Sequence, residues 1–407
     1  MRAQKMCGRI EKQVPPTDSK VKLLFLVTED WYFWSHRLSI ARAARDAGIE
    51  VYVMARINHH AEVIRAEGFH LIDWKSIRRG SVNPLRELRA LAEVVKEYRE
   101  ISPDLVHHVH NKPILYGGLA AKWCRIPSMN TVAGLGYVFA SSSFKMRVFQ
   151  KVLVMLFRFA LRGRERSLVS FQNSDDFEYF LSNHIVSRDK TLLIRGSGVD
   201  LAKFSAAPIP SSTPVVMLAA RLLWHKGVRE FVSAAETIKR LGTDARFVLV
   251  GEPDPTNPGS VPNCLLEQWN RDGVVEWWGR RTEMAQVLSQ AAIVCLPSAY
   301  REGVPKVLIE AASCCRPIVT TDIAGCRDVV RNGDNGILVP PKNSEALVKA
   351  LCSLLADRSR QEQMGKRGRE IVADEFSEEY VISRTSRAYR RLIPHCPELV
   401  ASAFSHV

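Results

Sequence analysis

Between Ala202 and Ala220 the chain reads AKFSAAPIPSSTPVVMLAA, and this stretch decides how the 407 residues divide. Residues 202–214 are rich in proline and serine and read as a linker, since both residue types favour turns over regular elements. Residues 215–220, VVMLAA, form a continuous apolar run of the kind that makes a strand buried on both faces. A linker followed by a fresh strand predicts two halves with separate cores. The length agrees, because a chain of 407 residues exceeds what one core usually organises.

Upstream of the linker, KLLFLVT (22–28), IEVYVMA (49–55), FHLID (69–73), DLVHHVH (104–110), PSMNTVA (127–133), LVSFQNS (168–174) and TLLIRGS (191–197) read as strands. Downstream, VVMLAA is followed by RFVLVGE (246–252), VVEWWG (274–279), AIVCLP (292–297), PIVTT (317–321) and GILVP (336–340). Helical runs lie between them. WSHRLSIARAARDAG ends at Gly48, a natural C-cap, and NPLRELRALAEVVKEYRE opens on an Asn-Pro start signal. This alternation predicts an α/β fold of two Rossmann-like, doubly wound domains facing a central cleft, with ligands at the carboxyl ends of the strands. The expected divisions are 21–205, 206–380, and a final helix in 381–407 that returns toward the first domain before a tail. Residues 1–20 read as a loose tail.

Composition narrows the class. The chain is 46% hydrophobic and 25% charged, which excludes disordered and fibrous proteins. No apolar run approaches the ~20 residues that span a bilayer, and the first twenty residues lack a signal-peptide core. Nine cysteines, with Cys314 and Cys315 adjacent and no metal-ligand spacing, point to a reducing compartment and a cytosolic protein. The net charge of +14 fits an anionic partner: a phosphorylated substrate, a membrane surface or nucleic acid. No nucleic-acid-binding signature accompanies it, so no nucleic-acid partner is expected.

The chemistry concentrates in REGVPKVLIE (301–310), which sets Glu302 and Glu310 around Gly303 and Pro305. A continuous helix would leave the two carboxylates about 80° apart. Gly303 and Pro305 instead predict a loop-to-helix junction. Glu302 then belongs to the loop after strand 292–297, and Glu310 lies about two turns into the helix. Amides near Gly303 and Val304 favour an anion between the two acids, so the pair reads as a clamp around a ligand. The plain alternative is an exposed turn acid and a helix acid, against which stands the otherwise apolar KVLIEAAS.

PSAYREGVPKVLIEAAS resembles the E-x7-E segment of the retaining glycosyltransferases of family 4, which have the GT-B fold. AARLLWHKGVREFV (219–232), LVGEPDPTNPGSVP (249–262) and RPIVTTDIAGCRDVVRNGDNGILVPP (316–341) extend the likeness. In the first half TEDWYFWSHRLSIARAARDAG, VHHVHNKPILYGGLAA and VAGLGYVF do the same, so it covers about residues 21–393. The resemblance implies that Arg221 and Lys226 neutralise a donor diphosphate, and that Glu310 accepts hydrogen bonds from ribose hydroxyls. Glu302 would accept them from the transferred sugar, while Gly303 and Val304 offer amides to phosphate or sugar oxygens. It further implies a UDP-sugar donor, transfer without a metal or other cofactor, and a hexosyl- or N-acetylhexosaminyltransferase. The subgroup is similar to bacterial enzymes that extend polyprenyl-diphosphate-linked glycans for capsule, lipopolysaccharide or exopolysaccharide. Such an enzyme would be peripheral at the inner face of the cytoplasmic membrane.

The first half is less explicit. On a strand His108 and His110 share a face while His107 points the other way, and no further metal ligands are spaced to join them. The family places a functional residue near this strand end, which makes His110 a catalytic candidate and Lys112 a neighbour of the sugar; structural histidines are the alternative. His36, read as opening a helix beside the cleft, either contacts the acceptor or caps the helix. Glu29 and Asp30, with the four aromatics that follow, stand where many family members carry a glycine-rich turn, and are acceptor-side candidates. FKMRVFQKVLVMLFRFALRGRER (144–166) reads as an apolar helix with Arg147, Lys151, Arg158 and Arg162 on one face. That helix either lies on an anionic membrane or is a core helix with solvated arginines. Rival functions are a nicotinamide oxidoreductase, a sugar-nucleotide epimerase on the same fold, and a non-catalytic membrane-associated assembly subunit. The first wants G-x-G-x-x-G after a strand, and neither VTEDWYFWSHR nor LAARLLWHKG supplies it.

Overall fold

The computed structural model describes residues 20–393, apart from 79, 81–82, 137–138, 140–143, 164 and 256. The tail reading of residues 1–20 therefore lies outside the described residues, save Lys20. The first sheet holds β1 (Lys22–Glu29), β2 (Glu50–Arg56), β3 (His70–Asp73), β4 (Leu105–Val109), β5 (Ser128–Val132), β6 (Ser167–Phe171) and β7 (Thr191–Leu193). The second holds β8 (Val215–Ala219), β9 (Arg246–Val250), β10 (Glu276–Trp277), β11 (Ile293–Leu296), β12 (Ile318–Thr321) and β13 (Gly336–Val339). Strand orders are β3-β2-β1-β4-β5-β6-β7 and β10-β9-β8-β11-β12-β13, with every pair parallel. Each of the strands read from the sequence is present. Their inward runs, such as Val215–Ala219, are buried throughout, as a sheet covered on both faces requires.

Both sheets reverse their winding once, between β1 and β4 and between β8 and β11. At such a switch point the two flanking loops part and leave a crevice beyond the carboxyl ends. The glutamate-bearing loop follows β11 and the Lys226 loop follows β8, so both belong to one crevice. The helix Glu378–Leu392 buries Val381, Ile382, Tyr389 and Leu392 in the core of the first sheet, tying the chain's end to its beginning.

Three local readings change. The run 34–48 is two helices, Asp30–His36 and Leu38–Asp46, broken at Arg37, whose backbone is not helical. His36 consequently ends a helix rather than opening one, and Asp30 begins it. The helix after the glutamate loop spans Lys306–Ser313 with Pro305 as its N-cap, so Glu310 stands little more than one turn in, not two. The proline- and serine-rich stretch is irregular but strapped down. Arg316 donates to the carbonyls of Ala207 and Pro208, Arg358 to those of Ile209 and Pro210, and Arg369 to those of Leu201 and Phe204.

Candidate functional site

The best-formed constellation lies at the carboxyl ends of β8 and β11. Lys226 sits in a short 3-10 turn (Trp224–Lys226), closed by Gly227 in the left-handed region at φ 79. A side chain at 227 would collide with Pro297, which explains the glycine there. This packing sets the Lys226 Nζ 2.6 and 2.7 Å from the two carboxylate oxygens of Glu302, while the Ser298 hydroxyl donates to Glu302 at 2.9 Å. Burial pushes the Glu302 carboxyl up, but the Lys226 ammonium and these hydrogen bonds outweigh it and hold it below its ordinary value. Glu302 is thus an ionised acceptor, suited to binding hydroxyls and unsuited to giving up a proton. Arg221, which like this pair lies within electrostatic reach of His225, is ion-paired with Asp254 at 3.0 Å and lies 5.8 Å from the ring of Trp31 in the first domain.

Glu310 is buried, and burial raises its carboxyl, moderated by Lys306 and Lys203. Lys306 lies 3.9 Å from Glu310 and donates to the Ser35 carbonyl at 2.7 Å, which carries the contact across the cleft. On that far side the Tyr32 ring stacks on His36 at 4.2 Å and meets His110 at 4.1 Å. Burial first, then Lys306, Arg37 and His110, drive the His36 imidazole well below its usual range, so it is neutral at physiological pH.

His110 takes φ 77 and ψ 167, a conformation nearly reserved for glycine. That kink abolishes strand alternation, and His110 does not share the face of His108 as expected. His107 is bonded to Tyr389 and Thr131, and His108 to Tyr98 and Asn130, so both are structural. Glu87 (2.9 and 3.0 Å) and the Arg78 carbonyl hold the Lys112 ammonium. Asp30 is also engaged within the first domain. Its fully buried carboxylate accepts from the amides of Trp31, Asn58 and His60, which pins the loop after β2 instead of presenting an oxygen to a ligand. Glu29 is buried and accepts from the Asn58 side chain. Among the basic stripe, Arg147, Lys151 and Arg162 are exposed, whereas Arg158 turns onto the Asn183 carbonyl.

Gly303 and Val304 are placed by the domain interface. A β-carbon on Gly303 would overlap the Ala133 carbonyl oxygen, and one on Gly325 would overlap the Gly303 carbonyl. One on Gly134, at φ 112, would lie 2.6 Å from the Gly303 nitrogen. Gly134 and Gly303 therefore let the two domains meet backbone to backbone at the glutamate loop, and Gly325 lets a neighbouring loop of the second domain close on Gly303. Asn173, fully buried, donates to the Glu302 carbonyl at 3.3 Å while capping the helix Ser174–Ser182. Val304 is buried in the core of the second domain. Ser298, Lys306, Gly134 and Asn173 escaped the sequence reading. Ser298 alone carried a local signal, four residues before Glu302 in a strand-end loop. Among the described residues, no group of three His, Cys, Asp or Glu side chains gathers as a metal site would require.

Comparison with known proteins agrees with this geometry. Residues 22–173 match the family described as glycosyl transferase 4-like, and residues 213–357 match glycosyl transferases group 1. The chain belongs to the family-4-like glycosyltransferases and is an enzyme of that class, which removes the nicotinamide oxidoreductase reading. Over 371 residues, 88% of this chain and 95% of the other, it is 28% identical to a Campylobacter jejuni N,N'-diacetylbacillosaminyl-diphospho-undecaprenol alpha-1,3-N-acetylgalactosaminyltransferase. A sucrose-phosphate synthase from Thermosynechococcus elongatus superposes with a TM-score of 0.75 at 21% identity, covering 92% of this chain and all of that one. The Anabaena protein HepE, solved with UDP, superposes at 0.73 and 19% identity, covering 91% of this chain and 99% of that one. These likenesses establish the two-domain GT-B fold.

Proposed function

We propose that the enzyme is a retaining, metal-independent transferase that moves a hexosyl or N-acetylhexosaminyl group from a UDP-sugar to a polyprenyl-diphosphate-linked glycan. The observation that carries the reading is the Lys226–Glu302–Ser298 cluster beside Arg221 at the switch point of the second sheet. When the bond from the sugar to the diphosphate breaks, negative charge grows on the departing phosphate. Arg221 and Lys226 are fixed cations that stabilise it, an electrostatic effect of the kind that dominates many transfer reactions. Those two cations are also why no metal is assigned to the diphosphate. Glu302 accepts hydroxyls of the transferred sugar and Glu310 those of the ribose, while His110 faces the sugar from the first domain. Stereochemical retention is carried by the family resemblance. The lipid-linked acceptor is supported by the Campylobacter relative, whose name specifies a diphospho-undecaprenol substrate, while a place in bacterial surface-glycan assembly at the cytoplasmic face rests on the family resemblance. The UDP donor is supported by the HepE complex.

The test is transfer from a panel of radiolabelled UDP-sugars into lipid-extractable product, with polyprenyl-diphosphate glycans as acceptors and EDTA present. Label that Glu302→Ala and Lys226→Ala both abolish supports the reading. UDP-sugar interconversion without an acceptor would point to an epimerase, and loss of transfer on chelation would overturn metal independence. Neither binding nor transfer would return the non-catalytic subunit.

A further inference from the structure

The helix Phe144–Leu161 is apolar on two opposite sides. Toward the protein it buries Val154, Phe157, Ala160 and Leu161. Toward solvent it presents Phe144 (81% exposed), Val148, Met155 (60%) and Phe159 (63%). At 100° per residue these four fall within an arc of about 60°, nearly opposite the buried set. Val152, Leu156 and Phe149 widen the exposed face on one side. Arg147, Lys151 and Arg162 border it on the other, and the helix itself contains no acidic residue. The neighbouring helix Asn111–Cys124 extends the patch. It approaches closely because Gly118 faces Ala160, and it sets the Lys122 ammonium 4.8 Å over the Phe159 ring, with Trp123 (70% exposed) beside it.

A helix that is apolar toward solvent as well as toward the protein wants an apolar environment on both sides, and an exposed apolar patch with a polar rim marks an interaction site. The rim chooses the occupant. A second copy of this chain would bring Arg147, Lys151 and Arg162 against their own equivalents or against each other, like charge on like. A bilayer containing anionic phospholipid satisfies the apolar face and the basic border together, with Trp123 suited to the interface. We propose that this face, made by helix Phe144–Leu161 and Trp123, docks the enzyme on anionic membrane by inserting Phe144, Met155, Phe159 and Trp123. The basic residues border the insertion and do not replace it. The inference rests on the reading that the acceptor is lipid-linked, but its test does not need that acceptor.

The full chain is sedimented with phosphatidylcholine vesicles that do or do not contain phosphatidylglycerol, and no glycan acceptor is added. The double variant M155Q/F159Q touches no residue assigned to the site, and its unfolding transition reports that it folds. Wild type is expected to partition onto the phosphatidylglycerol vesicles, and the variant to bind them roughly tenfold more weakly. Equal binding of the folded variant, or no binding by wild type, overturns the proposal. So does a wild-type dimer that the double variant converts to monomer, which would make the face a contact between copies. Transfer to a soluble acceptor analogue is read separately. Its absence with intact vesicle binding would fault the proposed function and leave the docking face standing.

Discussion

Lys226 and Glu302, seventy-six positions apart in the chain, form a bidentate pair with both carboxylate oxygens within 2.7 Å of one ammonium. The pair joins two roles that the motifs suggest separately, a cation for the phosphate and an acid for the sugar. On the proposed function, a donor entering this cleft would meet both charges already set, at positions fixed by β8 and β11, so little reorganisation would accompany binding.

Removing one partner strands the other. Lys226→Ala leaves a partly buried carboxylate with only Ser298, and is expected to lower stability by about 2–3 kcal/mol, discounted for partial exposure. Lys226→Ala combined with Glu302→Gln should recover much of that loss. Turnover should fall on the order of a hundredfold or more in every variant. Urea unfolding midpoints and kcat measured on the same preparations check both statements.

Gly303 is where the domains touch. Gly303→Ala drives a β-carbon into the Ala133 carbonyl and must open the interface by a fraction of an ångström or more. A displacement of that size at a positioning loop costs roughly a hundredfold in kcat/KM. Gly251→Ala, whose β-carbon meets only the Ala220 backbone within the second domain, should instead act mainly on stability. Comparable kinetic losses in the two variants would contradict this assignment.

His110 holds a backbone conformation that glycine adopts freely, at a strain of about 1–3 kcal/mol. His110→Gly is therefore expected to raise stability by about 1 kcal/mol and to lower transfer on the order of a hundredfold. Lys112→Ala, which releases Glu87 and the Arg78 carbonyl, should cost about 1 kcal/mol of stability without changing KM for the donor. Thermal unfolding beside steady-state kinetics separates the two.

Acid should unfold the protein in two steps. Burial, followed in each case by nearby cations and a second imidazole, keeps His36 and His107 neutral well below pH 6.5 in the folded state. The unfolded chain protonates both near 6.5, so the unfolded state binds more protons and stability declines as pH drops from there. The Glu302 contribution has the usual carboxylate sign: it is present above about 4.5 and is lost as pH falls through the depressed folded value. Unfolding midpoints measured from about pH 7.5 to about pH 2.5 should show the first decline, reduced by His107→Asn, before the second.

Much of the molecule is written locally. Continuous apolar runs separated by helical periods specify parallel strands covered on both faces, because only that arrangement buries such runs. Residues 202–220 divide the chain, and REGVPKVLIE marks its donor-side loop through a glycine and a proline that admit one kind of turn. What remained hidden has a common cause. The glycine-mediated meeting of Gly134 and Gly303, the Asn173 bond to the Glu302 carbonyl and the Lys306 contact with Ser35 all join segments from different domains. Spacing along the chain carries no information about such encounters. The same limit hid the partners of Lys112 and Asp30, which come from elsewhere in the first domain. His110 shows the reverse case: strand periodicity placed it, and one strained dihedral, imposed by the fold, turned it onto Tyr32.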